Sequence, residues 1–492
     1  MHTFHFSSRI FFGLCVRLVL FCAQFITVCM HRGVFGGLTR HRPVLTTNHG
    51  FVRRHSTAVP ANVANDDVIT PWEVKAKSPK GIDYARVTET FKSQSVTTAL
   101  LERFSHTIAK VTARGSEQHG GTAAATATRD ESSASSLITS APVLHPFLRR
   151  GIAFSHRDVA EALADLDLGK RIYLYTGRVP SSEALHLGHA VPFMLSQYLQ
   201  SALRVPIVIQ LTDDEKFLYR GIPLEKLHHI TTANIKDIIA FGFDLKHTFI
   251  FRNTDYFGRM YPTVLELQRL MTVNAVRNTL GLDMGGDHSS SESSCNIGQV
   301  AFPATQAAPC FVSSFPQVLP VPPHIKKVSC LIPCAIDQDA FFVLTRSLSD
   351  RLKRSKPSLL HTTFLPALKG ASHKMSSSAE QHGTILLSDS PTEVKKKLRS
   401  AFSGGRGTLE ELKLHGPDLE ADVAYQYLRY FEPSDERVES IARDYKAGVV
   451  TSAAVKDAAA ESVNTVLAQF QQRRACVTNE DVEKFCSERS IW

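Results

Sequence analysis

The stretch RIYLYTGRVPSSEALHLGHAVPFMLSQYLQSALRVPIVIQL, residues 171–211, decides the fold. Arg171 to Tyr175 reads as a strand that ends at Thr176-Gly177. Ala184 to Leu203 carries apolar residues at helical spacing (Leu185, Val191, Met194, Leu195, Tyr198, Leu199). Val205 to Leu211 is a nearly continuous apolar run with β-branched residues, the pattern of a strand buried on both faces. Thr212 and Asp213 then offer an N-cap for a further helix. Strand, helix and strand of these lengths make a βαβ unit and hence a parallel sheet. Ligands of such sheets bind beyond the carboxyl ends of the strands. Gly177, Arg178, the HLGH run at 186–189 and the QLTDDE run at 210–215 all fall there.

His186 and His189 are three apart, so they share one side of a helix start. Gly188 between them lets the backbone approach a phosphate, and the helix N-terminus adds partial positive charge. Two surface histidines by chance is the bland alternative in a chain with 21 His. A second segment, Lys374-Met375-Ser376-Ser377-Ser378, weighs against it. It follows Gly370-Ala371-Ser372-His373 in a stretch read as a loop. A lysine is a point charge on a flexible stem, suited to a phosphate that moves during reaction. The three hydroxyls add donors. Together the two segments are what a nucleotide-activating site needs.

Tyr175, Gln210, Glu215, Gln306 and Gln338 are polar residues in or beside apolar runs. Buried polar groups need partners. A bound amino acid would supply them, and so would satisfied internal hydrogen bonds. Asp213 and Asp214 fit a helix cap better than a pair of catalytic carboxylates. Cys330 and Cys334 lie four apart in an apolar stretch with no CxxC pair, which fits buried thiols and no metal site.

Composition bounds the rest. A chain of 492 residues has room for two or three domains. Its net charge is +9, and seven of the positive charges are arginines within residues 1–60, which hold no lysine and no acid. The remainder is near neutral, so nucleic-acid contact has to be a local patch. Residues 115–136, with TAAATATR and SSASS, and residues 285–294, GGDHSSSESS, are low in apolar content and read as flexible inserts. Pro316 to Pro323 reads as extended. Beyond Lys374 comes a basic amphipathic run, VKKKLRSAF at 394–402, then helical patterns at about 421–431, 436–447 and 451–475. Gly448 is a natural residue just past a helix end, and Thr478 with Asp481 forms a capping box.

At these residues the chain resembles the eukaryotic-type tryptophanyl-tRNA synthetases of class I. The two segments resemble that class's HIGH and KMSKS signatures. The likeness also rests on YLYTGRVPSSEALHLGH (173–189), VPIVIQLTDDEKFL (205–218), FPATQAAPCF (302–311), CLIPCAIDQDAFF (330–342), LHTTFLPALKGASHKMSSS (360–378) and AFSGGR (401–406). Looser similarity begins near Pro71-Trp72 and includes KGIDY (80–84) and LRRGIAFSHRD (148–158). The resemblance implies an α/β fold, a Rossmann-like parallel-sheet catalytic domain followed by an all-helical anticodon-binding domain. It implies activation of L-tryptophan by ATP, with Mg²⁺ carried on the nucleotide, and charging of tRNA(Trp) by a homodimer. Tyr175 and Gln210 would read the indole N–H. Glu215, Gln306 and Gln338 would hold the amino and carboxylate groups. Arg178, His186, Gly188, His189 and Lys374 would bind ATP, with Ser376 and Ser378 closing the loop and Lys374, His186 and His189 acting in catalysis. Ser377 stands where the general class signature has a second lysine, and Val179 where the family has a glycine.

The expected organisation is a transit peptide at 1–60, an N-terminal extension at 61–112 and a disordered low-complexity insert at 113–141. A catalytic domain at 142–384 with a flexible Ser-rich insert at 284–295 follows, then a helical domain at 385–492. The Arg-rich, acid-free start has the composition of an organellar transit peptide, so the expected location is the mitochondrial matrix. A 13-residue apolar run from Leu18 to Met30 keeps a signal-peptide reading open, and Met30 an alternative start. A tyrosine-specific synthetase and a non-catalytic RNA-binding relative are the competing functions. No membrane association is expected.

Overall fold

The computed structural model describes residues 67–78, 80–119, 143–282, 295–325, 327–374 and 383–492. They fall within one compact unit, Ala58–Trp492. The strands, in chain order, are β1 Val68–Ile69, β2 Val74–Lys75, β3 Gln94–Ser95, β4 Ala153–Arg157, β5 Ile172–Arg178, β6 Ile207–Leu211, β7 Thr248–Arg252, β8 Ser329–Ala335, β9 Ser358–Thr362, β10 Pro366–Ala367 and β11 Gly370–Lys374.

Seven of these form the central sheet in the order β3-β4-β9-β8-β5-β6-β7. The five strands from β9 to β7 are mutually parallel. β3 and β4 add an antiparallel margin, with Ser155 opposite His361. In the parallel part the chain starts at β5, winds outward through β6 and β7, then returns to lay β8 and β9 on the other side. The crevice at that reversal, between β5 and β8, is the Rossmann ligand position.

Alternation along β5 explains the two layers. Ile172 and Leu174 face one core with Leu187, Val191, Leu195 and Leu199 of the helix Leu187–Leu203. Tyr173 and Tyr175 face the other core with Phe249, Phe251, Tyr256 and Phe315. β6 repeats this, with Ile207, Ile209 and Leu211 on the first side and Val208 on the second. Both faces are covered, which is why these strands are apolar throughout.

A second sheet has the order β1-β2-β11-β10, with His373 opposite Lys75. The segment expected as a loop before Lys374 is therefore a strand up to that lysine. The described residues of the expected N-terminal extension, from 67 onward, contribute strands to both sheets. β2 pairs with the strand that bears Lys374, and β3 joins the central sheet. Two-residue strands lie below any periodicity a sequence can display.

Two further readings are corrected. The helix Thr98–His119 runs through residues 113–119, so the expected start of the insert at 113 falls inside a helix. Phe104 and Ile108 bury that helix against the core, and extending a packed helix needs no new nucleation. Pro316 to Leu319 turns rather than extends, with the Leu319 N–H donating to the Phe315 carbonyl at 2.9 Å and Val318 and Leu319 fully buried. The expected transit peptide, the rest of the insert to 141 and the Ser-rich segment 284–294 lie outside the described residues.

The C-terminal part is helical, with Pro391–Arg399, Leu409–His415, Val423–Phe431, Asp435–Lys446, Ser452–Cys476 and Asn479–Cys486. The Thr478–Asp481 capping box is present and Gly448 sits at φ 67 just past a helix end. The helix Val423–Phe431 starts on Asp422, a carboxylate 1% exposed. Its Oδ2 accepts from Gly404 N–H at 2.9 Å and from the Ser403 and Tyr445 hydroxyls, both at 3.1 Å. Among the described residues no helix is long and apolar enough to cross a membrane.

The AFSGGR turn has no space for a side chain. A Cβ on Gly404 would collide with the Asp418 backbone carbonyl and come within 3.0 Å of the Asp422 Cβ. Gly404→Ala is expected to destabilise the protein by about 1–3 kcal/mol, seen as a lower midpoint in urea unfolding.

Candidate active site

A cleft of about 1310 Å³ opens at the carboxyl ends of β5 and β8. Thr176, Gly177 and Arg178 line it from β5, and His186, Gly188 and His189 from the start of the helix Leu187–Leu203. Ala335, Asp337 and Gln338 line it after β8, and Thr362 to Leu365 after β9. A second lobe of about 1080 Å³ is lined by Glu215, Tyr219, Gln299, Phe302 and Phe341. The two lobes share Pro71, Val179, Lys216, Gln306 and Gln338.

The first lobe suits a polyphosphate. His186 precedes a 17-residue helix whose N-terminal residues Gly188 and His189 line the cleft, so the positive end of the helix lies beside it. The rings of His186 and His189 stack with centroids 3.4 Å apart. Arg178 donates from Nε to Asn234 Oδ1 at 3.4 Å, while its buried Nη2 has no hydrogen-bond partner among the described residues. Burial pulls this guanidinium down to about 10, partly offset by Asp237 and Glu215, so it is charged at neutral pH. A buried charged donor without an acceptor is costly, and an anionic ligand would relieve it.

The helix start is tied to the chain beyond the lysine segment. Leu187 N–H donates to the Ile385 carbonyl at 3.0 Å, and Leu387 N–H to the Leu185 carbonyl at 2.8 Å. A bridge also pairs His186 with Leu386. The expected domain boundary between 384 and 385 therefore cuts through a segment bonded to the cleft. Lys374 ends β11 with its backbone opposite Pro366. Ser376 and Ser378 lie outside the described residues.

The second lobe suits an amino acid. Glu215 is 4% exposed and its Oε2 lies 3.0 Å from Lys216 Nζ. Gln306 and Gln338 stand between the lobes. Tyr175 and Gln210 are brought together, but they do not line either lobe. Both are fully buried, and the Tyr175 hydroxyl donates to Gln210 Oε1 at 2.5 Å while lying 3.0 Å from the Gln306 carbonyl. Gln210 Nε2 donates to Asn253 Oδ1 at 2.8 Å and to the Thr305 carbonyl at 3.3 Å. In this state the internal-bond reading of the pair holds. Asn253 in turn donates to Asp214 Oδ1 at 2.8 Å. Burial, ahead of the charges of Asp213 and Glu215, pushes Asp214 up to about 6. Asp213 accepts from the Thr254 N–H at 3.2 Å and also bonds its hydroxyl. These carboxylates start the helix Asp213–Arg220 and brace the start of the helix Asn253–Leu270.

Sequence reasoning missed three contributors. Trp72 stacks on Tyr219 with ring centroids 4.7 Å apart and donates to the Leu280 carbonyl at 2.8 Å, walling the second lobe. Asn253 completes the Tyr175–Gln210 chain. Asp339, next to Gln338, is 1% exposed and accepts from Arg157 Nε at 2.7 Å and Nη2 at 2.8 Å. His361 Nε2 lies 3.1 Å from the same carboxylate, and its Nδ1 is 2.9 Å from Ser155 Oγ. Burial opposes ionisation of Asp339, yet the Arg157 and His361 bonds outweigh it and bring the group to about 2. The only advance signal was the unusual density of acids in AIDQD. Cys330 and Cys334 are buried free thiols with raised pKa, as expected.

A Rossmann sheet whose crevice is lined by a histidine-glycine helix start is the architecture of a nucleotide-binding α/β enzyme. The family model described as tRNA synthetases class I (W and Y) matches residues 167–468. The chain is 39% identical over 437 residues to the cytoplasmic tryptophan--tRNA ligase of Dictyostelium discoideum, covering 88% of this chain and 99% of that one. It is 39% identical over 453 residues to the Homo sapiens cytoplasmic enzyme, covering 91% and 85%. The structure of a tryptophanyl-tRNA synthetase from Encephalitozoon cuniculi bound to tryptophan superposes with a TM-score of 0.69 at 34% identity, covering 83% of this chain and 99% of that one. The chain belongs to the class I tRNA synthetases, within the tryptophan--tRNA ligases.

These relatives correct the expected mitochondrial location. Both curated ligases are named cytoplasmic, and they match most of the chain. An arginine-rich start free of acids is a compositional signal alone, whereas the likeness to cytoplasmic enzymes extends over the folded body.

Asp339 yields a pH prediction. Its folded pKa is depressed, so its contribution is present above the unfolded value of about 4 and lost as pH falls towards about 2. Asp339→Asn is expected to cost about 3–5 kcal/mol at pH 7, because it leaves Arg157 buried without its partner. In urea unfolding the gap to wild type should narrow below pH ~4.

Proposed function

We propose that this protein activates L-tryptophan with ATP and transfers it to tRNA(Trp). The observation that carries the site assignment is the two-lobed cleft: a helix N-terminus and the unpartnered Arg178 Nη2 in one lobe, and Glu215, Gln306 and Gln338 around the other. Arg178, His186, Gly188 and His189 bind the ATP phosphates, and Mg²⁺ arrives with the nucleotide. Glu215 takes the ammonium, and Gln306 and Gln338 the carboxylate. The Tyr175–Gln210 pair reads the indole N–H once the Gln306 carbonyl releases the tyrosine hydroxyl.

The tryptophan carboxylate attacks the α-phosphorus, the bond to the bridging oxygen breaks, and pyrophosphate leaves. The tRNA 3′ hydroxyl then attacks the carbonyl carbon and AMP departs. No enzyme group is covalently altered. Catalysis is positioning and charge stabilisation, with Lys374, Ser376 and Ser378 meeting charge as pyrophosphate separates. The helices from Pro391 to Cys486 meet the anticodon arm. Tyr261, Leu265 and Val273 are exposed apolar residues, which supports a homodimer through that surface.

Pyrophosphate exchange tests this directly. Exchange is expected with tryptophan and not with tyrosine or phenylalanine, by a margin of up to about 10⁴. Exchange with tyrosine instead sinks the tryptophan reading, and no exchange from folded protein favours a non-catalytic RNA-binding role. Lys374→Ala should lower kcat about 100-fold or more with little change in the KM for tryptophan. Equal losses in both would remove the lysine from the transition state.

A further inference from the structure

Three tyrosine hydroxyls converge on the link between the central sheet and Lys374. β9 ends at Thr362, and Thr363 to Leu365 line the cleft. Thr363 Oγ1 lies 2.6 Å from the Tyr430 hydroxyl. Phe364 N–H donates to the Tyr84 hydroxyl at 2.8 Å. The Tyr427 hydroxyl donates to the Pro366 carbonyl at 3.1 Å. Tyr427 is fully buried and Tyr430 is 5% exposed. The two sit three apart on the helix Val423–Phe431, so they present one side of it. Tyr84 opens the helix Tyr84–Phe91, far away in sequence.

Pro366 is the residue opposite Lys374 in the β10–β11 ladder. As a proline it has no N–H, so its carbonyl is the handle left for a hydrogen bond. The ladder alone is a poor clamp: β10 has two residues and its register shifts between Pro366 and Ala367. The other edge of β11 is held by the two-residue β2, with His373 opposite Lys75, and the hydroxyls are placed to fix the link on the side of the central sheet. We propose that Tyr84, Tyr427 and Tyr430 are positioning residues that set where β11 presents Lys374 to ATP. The inference rests on the reading of the cleft as the adenylate-forming site. None of the three touches substrate. Each acts through the 363–366 link, and a displacement of about 1 Å at a reacting group can cost 100-fold in rate.

Tyr84→Phe, Tyr427→Phe and Tyr430→Phe remove one hydroxyl each and keep the ring. Single-turnover formation of tryptophanyl-adenylate by the full chain separates positioning from folding. The amplitude reports competent sites and the rate constant reports how well they are aligned. Tyr427→Phe is expected to lower the rate constant about tenfold or more, with amplitude and tryptophan KM unchanged. Tyr84→Phe and Tyr430→Phe should fall less, and the double variant of Tyr427 and Tyr430 further. Tyr256→Phe, which loses a hydroxyl bond to the Ser314 carbonyl at 3.1 Å in the other core, should match wild type. Wild-type rate constants in all three variants overturn the proposal. So does a loss of amplitude at constant rate, which is the mark of misfolding alone. Variants are read as ratios to the wild-type chain, so a failure here leaves the tryptophan reading standing.

Discussion

The backbone ladder on the two edges of β5 is the constraint on which the rest depends. Leu174 to Arg178 pair with Ile207 to Leu211 on one side, and Ile172 to Leu174 with Ser329 to Leu331 on the other. With both faces covered, these edges are the only place the strand's N–H and C=O groups can be satisfied. The ladder to β8 stops at Leu174 while the ladder to β6 continues to Arg178. Beyond Leu174 that edge is free of backbone pairing to β8, and Thr176, Gly177 and Arg178 line the cleft there. Arg178 and the HLGH helix follow from where that edge ends.

The two faces of the sheet do different work. The face under the helix Leu187–Leu203 is mostly aliphatic, while the other is dense in aromatic rings: Tyr173, Tyr175, Phe249, Phe251, Tyr256 and Phe315. Tyr256 stacks on Phe315 with centroids 5.8 Å apart, and Phe249 on Phe251 at 5.5 Å. Rings have few rotatable bonds and pack in preferred geometries, so they make a stiff floor on that side of the sheet. The Tyr175–Gln210–Asn253–Asp214 chain is set in that floor. The Arg157–Asp339–His361 cluster does the same for the turn bearing Gln338.

The sheet, the first helix and the place of the cleft were legible because their signals are local. VPIVIQL is apolar at every position but Gln210, as a doubly covered strand requires, and HLGH sits where a helix begins. Polar residues in apolar runs were rightly marked as needing partners. Which partner each takes is a three-dimensional fact: Tyr175 meets Gln210 across neighbouring strands, 35 positions along the chain, and nothing in the sequence between them says so. Asn253 was invisible for the same reason. The N-terminal strands were missed because two residues carry no period. The turn at Pro316 was missed because Val318 and Leu319 are drawn inward by burial, which outweighs the extended preference of prolines.

The bond pair joining Leu185–Leu187 to Ile385–Leu387 also bears on synthesis of the protein. The two ends are 200 residues apart, and a ribosome makes chain from the N-terminus onward. The histidine motif emerges with its strand and helix, but the segment that anchors it does not yet exist. β9, β10 and β11 are likewise still to come. A partly made chain thus holds half a nucleotide cleft and none of its far wall. Competence arrives late and all at once, when the last parallel strand and the anchor behind the lysine segment have both been released.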